Sequence, residues 1–138
     1  MTPEDVTLVV ETVSSLRPRL AEVAGAFYAE LFRERPELRA LFPDQLTAQQ
    51  QKFAAELDAI VVAIPDLTRF ADRAADLGAR HVDYGVRVGH YTIVGRVLRR
   101  VLADAMGPQW TERHEAAWVS AYDLVAEAML LGTAHAHP

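Results

Sequence analysis

The chain of 138 residues contains no cysteine. This absence excludes disulfide bonds, thiolate nucleophiles and every metal site built on thiolate ligands. A chain without cysteine is compatible with a reducing compartment, so we expect a cytoplasmic location.

Long hydrophobic runs and an excess of basic charge are also missing. The longest apolar run, IVVAI at 60–64, is far too short to span a membrane. The amino terminus, MTPEDVTLVVE, starts with acidic residues rather than a basic segment, which predicts no secretory signal. The net charge of −5 argues against nucleic acid as the main partner. We therefore expect neither a membrane nor a nucleic acid to be bound.

Helical periodicity is what the sequence does contain. With 51% hydrophobic and 24% charged residues the chain is typical of globular proteins. Apolar residues recur at helical spacing throughout, and no strand alternation or internal repeat is found. We predict an all-α fold of about six main helices plus a short one. The predicted organisation is a single domain, 1–138, with a frayed tail from about 133, and it is large enough to bury a mid-sized ligand.

Capping residues and helix breakers predict where the helices begin and end. The predicted N-caps are Thr2, Thr47 (with Gln50 completing a capping box), Asp66 and Thr111. The predicted boundaries are Pro18, Pro36, Pro65, Gly107-Pro108 and Gly132, with a loop between Gly85 and Gly89 and a helix from His90 to about Met106.

Three polar residues interrupt the apolar faces of three different helices. His81 continues a face formed by Leu67, Phe70, Ala74 and Leu77, Gln49 lies four residues before Phe53, and Tyr28 lies among aromatic residues. A lone inward histidine can be an ordinary core residue bonded to a carbonyl group. Three such faces together favour a lined cavity. A single imidazole suits one-sided ligation of a haem iron and not zinc, which requires four ligands.

Several segments in this order resemble one known family. These are FYAELFRERPELRALF at 27–42, QQQKFAAEL at 49–57, LGARHVDYGVRVGHYTIVG at 77–95 and AWVSAY at 117–122. The chain resembles bacterial single-domain globins, namely Vitreoscilla-type haemoglobin and the haem domain of flavohaemoglobins, from Val6 to Met129. The resemblance implies a globin fold, a three-over-three helical sandwich around haem b.

The resemblance also implies roles for individual residues. His81 would be the proximal iron ligand, with Tyr28 and Gln49 on the distal face. Gln50 is the alternative distal glutamine after a one-residue shift, but it would place Ala54 rather than Phe53 over the haem. The other implied haem-pocket residues are Phe42, Phe53, Lys52, Leu57, Leu77, Tyr91, Val94 and Tyr122.

On the proximal side the sequence departs from the family pattern. Tyr91 matches the proximal tyrosine of flavohaemoglobins, but Thr133 stands where they have a glutamate. Because such partners raise the basicity of the ligating imidazole, the resemblance gives weaker support to O–O bond cleavage. Lys52 can reach a haem propionate or remain solvated. His90 and His114 are better read as residues of helix amino termini than as iron ligands.

The implied function is reversible dioxygen binding at a five-coordinate ferrous haem iron, with high affinity, for oxygen binding, transport or scavenging. The alternatives are a nitric oxide dioxygenase that uses an external reductase, a gas sensor acting through a partner protein, or a haem-free helical interaction protein. CO and nitric oxide are further expected ligands. The chain ends at Pro138 without flavin or nicotinamide domains, so we expect any turnover to need a separate reductase.

Overall fold

A computed structural model describes residues 1–83, 87 and 89–136. Within them the chain forms six α-helices and no strand, which confirms the predicted all-α class. The helices are α1 (Pro3–Leu16), α2 (Leu20–Glu34), α3 (Thr47–Ala63), α4 (Leu67–Asp83), α5 (His90–Met106) and α6 (Glu112–Ala136). Short 3₁₀ helices cover Arg17–Arg19, Pro36–Leu41 and Gly107–Gln109. None of the described helices is long and apolar enough to cross a membrane.

Most predicted helix boundaries are confirmed. Thr2 caps α1 in a reciprocal capping box, in which its Oγ1 accepts from the Asp5 N–H and Asp5 Oδ2 accepts from the Thr2 N–H. Asp66 Oδ1 accepts from the Arg69 N–H at the start of α4. At the end of α5, Gly107 adopts φ 62°, a value that favours glycine. The predicted loop residue Gly85 lies outside the described residues.

Three predictions about the ends of helices are wrong. Thr47 is the first residue of α3 and not its cap: the N-cap is Leu46, whose backbone is already helical and which makes no side-chain cap. Leu67 is 73% exposed because it stands in the first turn of α4 rather than on its packed face. Gly132 does not end α6, which continues to Ala136. A glycine within a helix costs only about 1 kcal/mol, which the neighbouring turns can offset.

The helices pack in crossed pairs that place α3 and α4 beside one another. α2 lies against α3 and α5, while α1 and α4 both lie against α6. Two ion pairs join α2 to α5: Glu30 with Arg100 at 3.3 Å and Glu34 with Arg96 at 2.7 Å. Their order shows that the two helices run antiparallel. Buried aliphatic and aromatic side chains from all six helices form one core. Half-buried apolar side chains remain along the inner faces of α3 to α6, among them Phe53, Leu77, Val94 and Val125.

Candidate functional site

An aromatic cluster surrounds Tyr28 where α2 meets α3. The Tyr28 side chain is 3% exposed, and its ring centroid lies 5.2 Å from that of Phe42 and 5.6 Å from that of Phe53. Phe27 stacks on Phe53 at 4.6 Å, and Phe32 closes the other side of Tyr28 at 5.9 Å. The packing thus brings together three residues that the family resemblance assigns to one pocket, Tyr28, Phe42 and Phe53.

Gln49 forms the polar contact of this cluster. Its Nε2 donates a hydrogen bond to the Tyr28 hydroxyl oxygen at 3.1 Å. Because that oxygen accepts from the amide, the hydroxyl hydrogen is left to donate to another group. Burial raises the pKa of Tyr28, although the Gln49 hydrogen bond opposes the shift, so the hydroxyl stays protonated at neutral pH. The Gln50 side chain instead lies against Gly25 on α2.

His81 occupies the last turn of α4 and is half-buried. Its Nδ1 lies 2.8 Å from the Leu77 carbonyl oxygen. A carbonyl can only accept, so Nδ1 carries the hydrogen and Nε2 carries the lone pair. Burial is the main cause that lowers the pKa of His81; the Arg80 charge also lowers it, whereas the Leu77 carbonyl and Glu56 oppose the shift. The side chain is therefore a neutral imidazole whose Nε2 has the lone pair that metal ligation requires.

Ion pairs from a single carboxylate join α3 to α4. Glu56 Oε2 accepts from Arg73 at 2.7 Å and Glu56 Oε1 accepts from Arg80 at 3.3 Å. Arg80 also pairs with Asp76 at 3.2 Å. Arg80 is thus engaged with carboxylates, while Lys52 on α3 is exposed to solvent. Sequence reasoning missed this contact, although the seven-residue spacing of Arg73 and Arg80 places both on one face of a helix.

Tyr122 connects α6 to the start of α5. Its hydroxyl donates to the Tyr91 carbonyl oxygen at 2.6 Å, and its ring lies against Gly95, where an added Cβ would be 2.6 Å from the ring. Burial raises the pKa of both Tyr122 and Tyr91. Tyr91 and Val94 on α5 are half-buried, and Leu57 on α3 is buried. The side chain of Thr133 lies outside the described residues.

His90 and His114 each accept a backbone hydrogen bond at the amino terminus of a helix. His90 Nδ1 accepts from the Arg87 N–H at 3.0 Å, and His114 Nδ1 accepts from the Thr111 N–H at 3.2 Å. Both positions are amino-terminal, as the sequence indicated. In the part of the chain that the structure describes, no group of three or more histidine and acidic residues could hold a metal ion. A metal ion bound by the described residues would therefore need further ligands from elsewhere.

A comparison with known families identifies the family of this chain. The model of the globin family matches residues 25–129, a range that contains Tyr28, Gln49, His81 and Tyr122. The chain belongs to the globin family. This globin is 32% identical over 133 residues to a flavohemoprotein from Bordetella pertussis, covering 94% of the chain and 33% of the relative. A Bacillus subtilis flavohemoprotein is 27% identical over 128 residues, with 91% and 32% covered. The globin thus spans about a third of the length of these curated relatives.

Solved structures agree with this assignment. A bacterial globin from Campylobacter jejuni superposes with a TM-score of 0.87 at 22% identity, over 97% of each chain. An engineered carbene transferase, made from a putative nitric oxide dioxygenase of Rhodothermus marinus, superposes with a TM-score of 0.82 at 28% identity, covering 98% of this globin and 94% of that chain. The predicted globin fold is confirmed.

Haem is the cofactor that the family and its haem-protein relatives carry, and the residues present fit it. One neutral imidazole on α4, that of His81, could supply a nitrogen ligand. The inner faces of α3 to α6 supply incompletely buried apolar side chains, and the Tyr28 hydroxyl supplies a protonated donor. A protein ligand on one side and a polar group on the other is the donor set that a haem pocket needs.

Proposed function

We propose that this globin binds dioxygen reversibly at a haem b iron held by Nε2 of His81, with Tyr28 and Gln49 lining the distal side. The observation that carries the proposal is the hydrogen bond from Gln49 Nε2 to the Tyr28 hydroxyl oxygen. It leaves the phenol hydrogen to be donated to a bound gas. Gln50, which lies against Gly25, has no such contact with Tyr28 in the described structure.

The bound haem supplies the reversible coordination of small diatomic gases. The protein selects among these gases by polarity. Bound dioxygen would carry more negative charge than bound CO, so a hydrogen bond donated by Tyr28 would favour dioxygen. A hydrogen bond to a charged partner contributes about 1.5–3 kcal/mol, which corresponds to roughly 10- to 100-fold in affinity. The expected result is tight binding and slow release, which suits scavenging or storage better than delivery.

The other pocket residues have supporting roles in this proposal. Phe42, Phe53 and Leu57 would exclude water from the distal side, which strengthens the Tyr28 hydrogen bond. Leu77, Tyr91, Val94 and Tyr122 would form the proximal wall, and Lys52 would pair with a haem propionate at the surface. The Leu77 carbonyl would hold the imidazole of His81 in one tautomer and orientation, as partners of metal-bound histidines do. All of these residues would belong to a single domain.

Nitric oxide dioxygenation is a second candidate function. The Rhodothermus marinus relative is described as a putative nitric oxide dioxygenase, and the curated relatives are flavohemoproteins. This globin would convert nitric oxide and dioxygen to nitrate with one electron per turnover from a reductase. Nitrate formed during turnover with such a reductase supports this function, and its absence leaves reversible dioxygen binding.

The test of the main proposal is Tyr28→Phe. We expect the dioxygen dissociation rate to rise about 10- to 100-fold, because one charge-assisted hydrogen bond is lost, with little change for CO. Gln50→Leu serves as the control and should leave both rates unchanged. An unchanged dioxygen rate in Tyr28→Phe would refute the role of the distal hydroxyl. His81→Ala should lose the five-coordinate ferrous spectrum; if it keeps that spectrum, the iron ligand is another residue.

A further inference from the structure

The backbones of α4 and α6 lie very close to each other at Gly78. A Cβ built on Gly78 would lie 2.0 Å from the Met129 carbonyl oxygen and 2.8 Å from the Met129 Cα. Real Cβ atoms essentially never come within 3.0 Å of such atoms, and the obstacle is backbone rather than a movable side-chain tip. Only glycine therefore permits this separation of the two helices.

This contact lies one turn before His81. Leu77, whose carbonyl accepts the hydrogen bond from His81 Nδ1, is the residue adjacent to Gly78. The α4–α6 contact and the turn that orients the imidazole therefore share the same stretch of backbone. We propose that Gly78 is a positioning residue, which sets the location of His81 Nε2 relative to the haem iron by allowing α4 to lie directly on α6. The inference rests on the proposed role of His81 as the iron ligand.

The size of the effect follows from the geometry. An ordinary contact to a Cβ begins at 3.4 Å, so a methyl group on Gly78 must move α4 from α6 by about 1.4 Å, the difference from 2.0 Å. The ion pairs of Arg73 and Arg80 with Glu56 are exposed and oppose such a movement only weakly. Because Gly78 precedes His81 by three residues in the same helix, a displacement of α4 at Gly78 would also move His81. Because a misplacement of about 1 Å can be costly where function depends on orientation, such a shift would weaken the hold of His81 on the iron.

The experiment compares haem-loaded Gly78→Ala with Gly25→Ala. Gly25 is also within a helix, but its added Cβ would meet nothing closer than 3.5 Å. Two quantities are measured: the iron–histidine stretching band of the ferrous protein by resonance Raman spectroscopy, and the rate of haem transfer from the ferric protein to apomyoglobin. For Gly78→Ala we expect a shifted band and transfer about 10- to 100-fold faster, as for other residues that orient a metal ligand. Gly25→Ala should match the parent protein.

A second variant keeps the inference falsifiable if Gly78→Ala does not fold. Ala74 lies one turn earlier on the same face of α4 and is fully buried. Ala74→Val should shift the band in the same direction by a smaller amount. An unchanged band and transfer rate in whichever of the two variants folds, or an equal change in Gly25→Ala, overturns the role of Gly78. If His81→Ala retains the parent band, the failure lies instead with the proposed iron ligand.

Discussion

Replacing Gln49 by leucine is the sharpest test of the distal geometry, because it needs no bound gas. The Tyr28 side chain is 3% exposed and its oxygen accepts the Gln49 amide at 3.1 Å. Gln49→Leu removes that donor and leaves a polar group that water cannot easily reach. A buried polar group without its partner costs about 1–3 kcal/mol. We expect the free energy of unfolding to fall by that amount.

A double-mutant cycle isolates the Gln49–Tyr28 pair. Tyr28→Phe in the Gln49→Leu background removes the stranded hydroxyl, so the second substitution should cost less than it does in the parent protein. The expected coupling energy is about 0.5–1.5 kcal/mol, the net contribution of one hydrogen bond. Urea denaturation of the haem-free and haem-loaded proteins, followed by circular dichroism, measures all four free energies.

Gln50→Leu supplies the matched control for this cycle. It makes the same chemical change one residue along α3, at a side chain that lies against Gly25. We expect no coupling with Tyr28→Phe. The reasoning is refuted if Gln50→Leu couples to Tyr28 and Gln49→Leu does not. That outcome would assign the distal position to Gln50 and move the register of α3 by one residue.

Two further predictions concern stability. Burial raises the pKa of Tyr122 above its usual value of 10.0, so the unfolded chain ionises first as the pH rises. The stabilisation is complete below about pH 10 and is lost above it, at up to about 1.4 kcal/mol per pH unit. Urea titrations at pH 9 to 11 should show that the free energy of unfolding falls less steeply with pH in Tyr122→Phe than in the parent protein. An equal slope in the two proteins would show that Tyr122 does not cause the loss. At the start of α6, His114→Ala should lower the free energy of unfolding by about 1 kcal/mol, because the Thr111 N–H loses its acceptor. His114→Gln keeps a side-chain acceptor and should lose less. Equal losses in the two variants would show that the imidazole does not cap the helix.

The helices could be predicted from the sequence because their signals are local. Thr2, Pro18 and Gly107 act through the backbone of their own neighbours, and each boundary lies where those residues place it. Thr47 and Gly132 show the limit of such signals. Capping at Thr47 requires an extended backbone at that residue, but the chain enters α3 from Leu46 already in a helical conformation. At Gly132 the helix continues although glycine disfavours it, because that local preference is worth only about 1 kcal/mol.

The candidate site was predictable where a polar residue falls on an apolar face. Tyr28 and Gln49 were selected on that ground, and their hydrogen bond joins two helices. Other contacts depend on the distance between two helices, which cannot be predicted from the spacing of apolar residues. The Tyr122 hydroxyl reaching the Tyr91 carbonyl is one example, and Gly78 against the backbone of α6 is another. A glycine in a helix is a sequence signal of close approach, but the partner becomes evident only in three dimensions.

The ion pairs of Glu56 link the two helices that carry the predicted proximal and distal residues. Glu56 holds α4 through Arg73 and Arg80, which are seven residues apart, or about 10 Å of helix. Both arginines meet the same carboxylate, so two turns of α4 are linked to one residue of α3. In the proposed haem pocket, a displacement of His81 would therefore be passed in part to α3, the helix that carries Gln49.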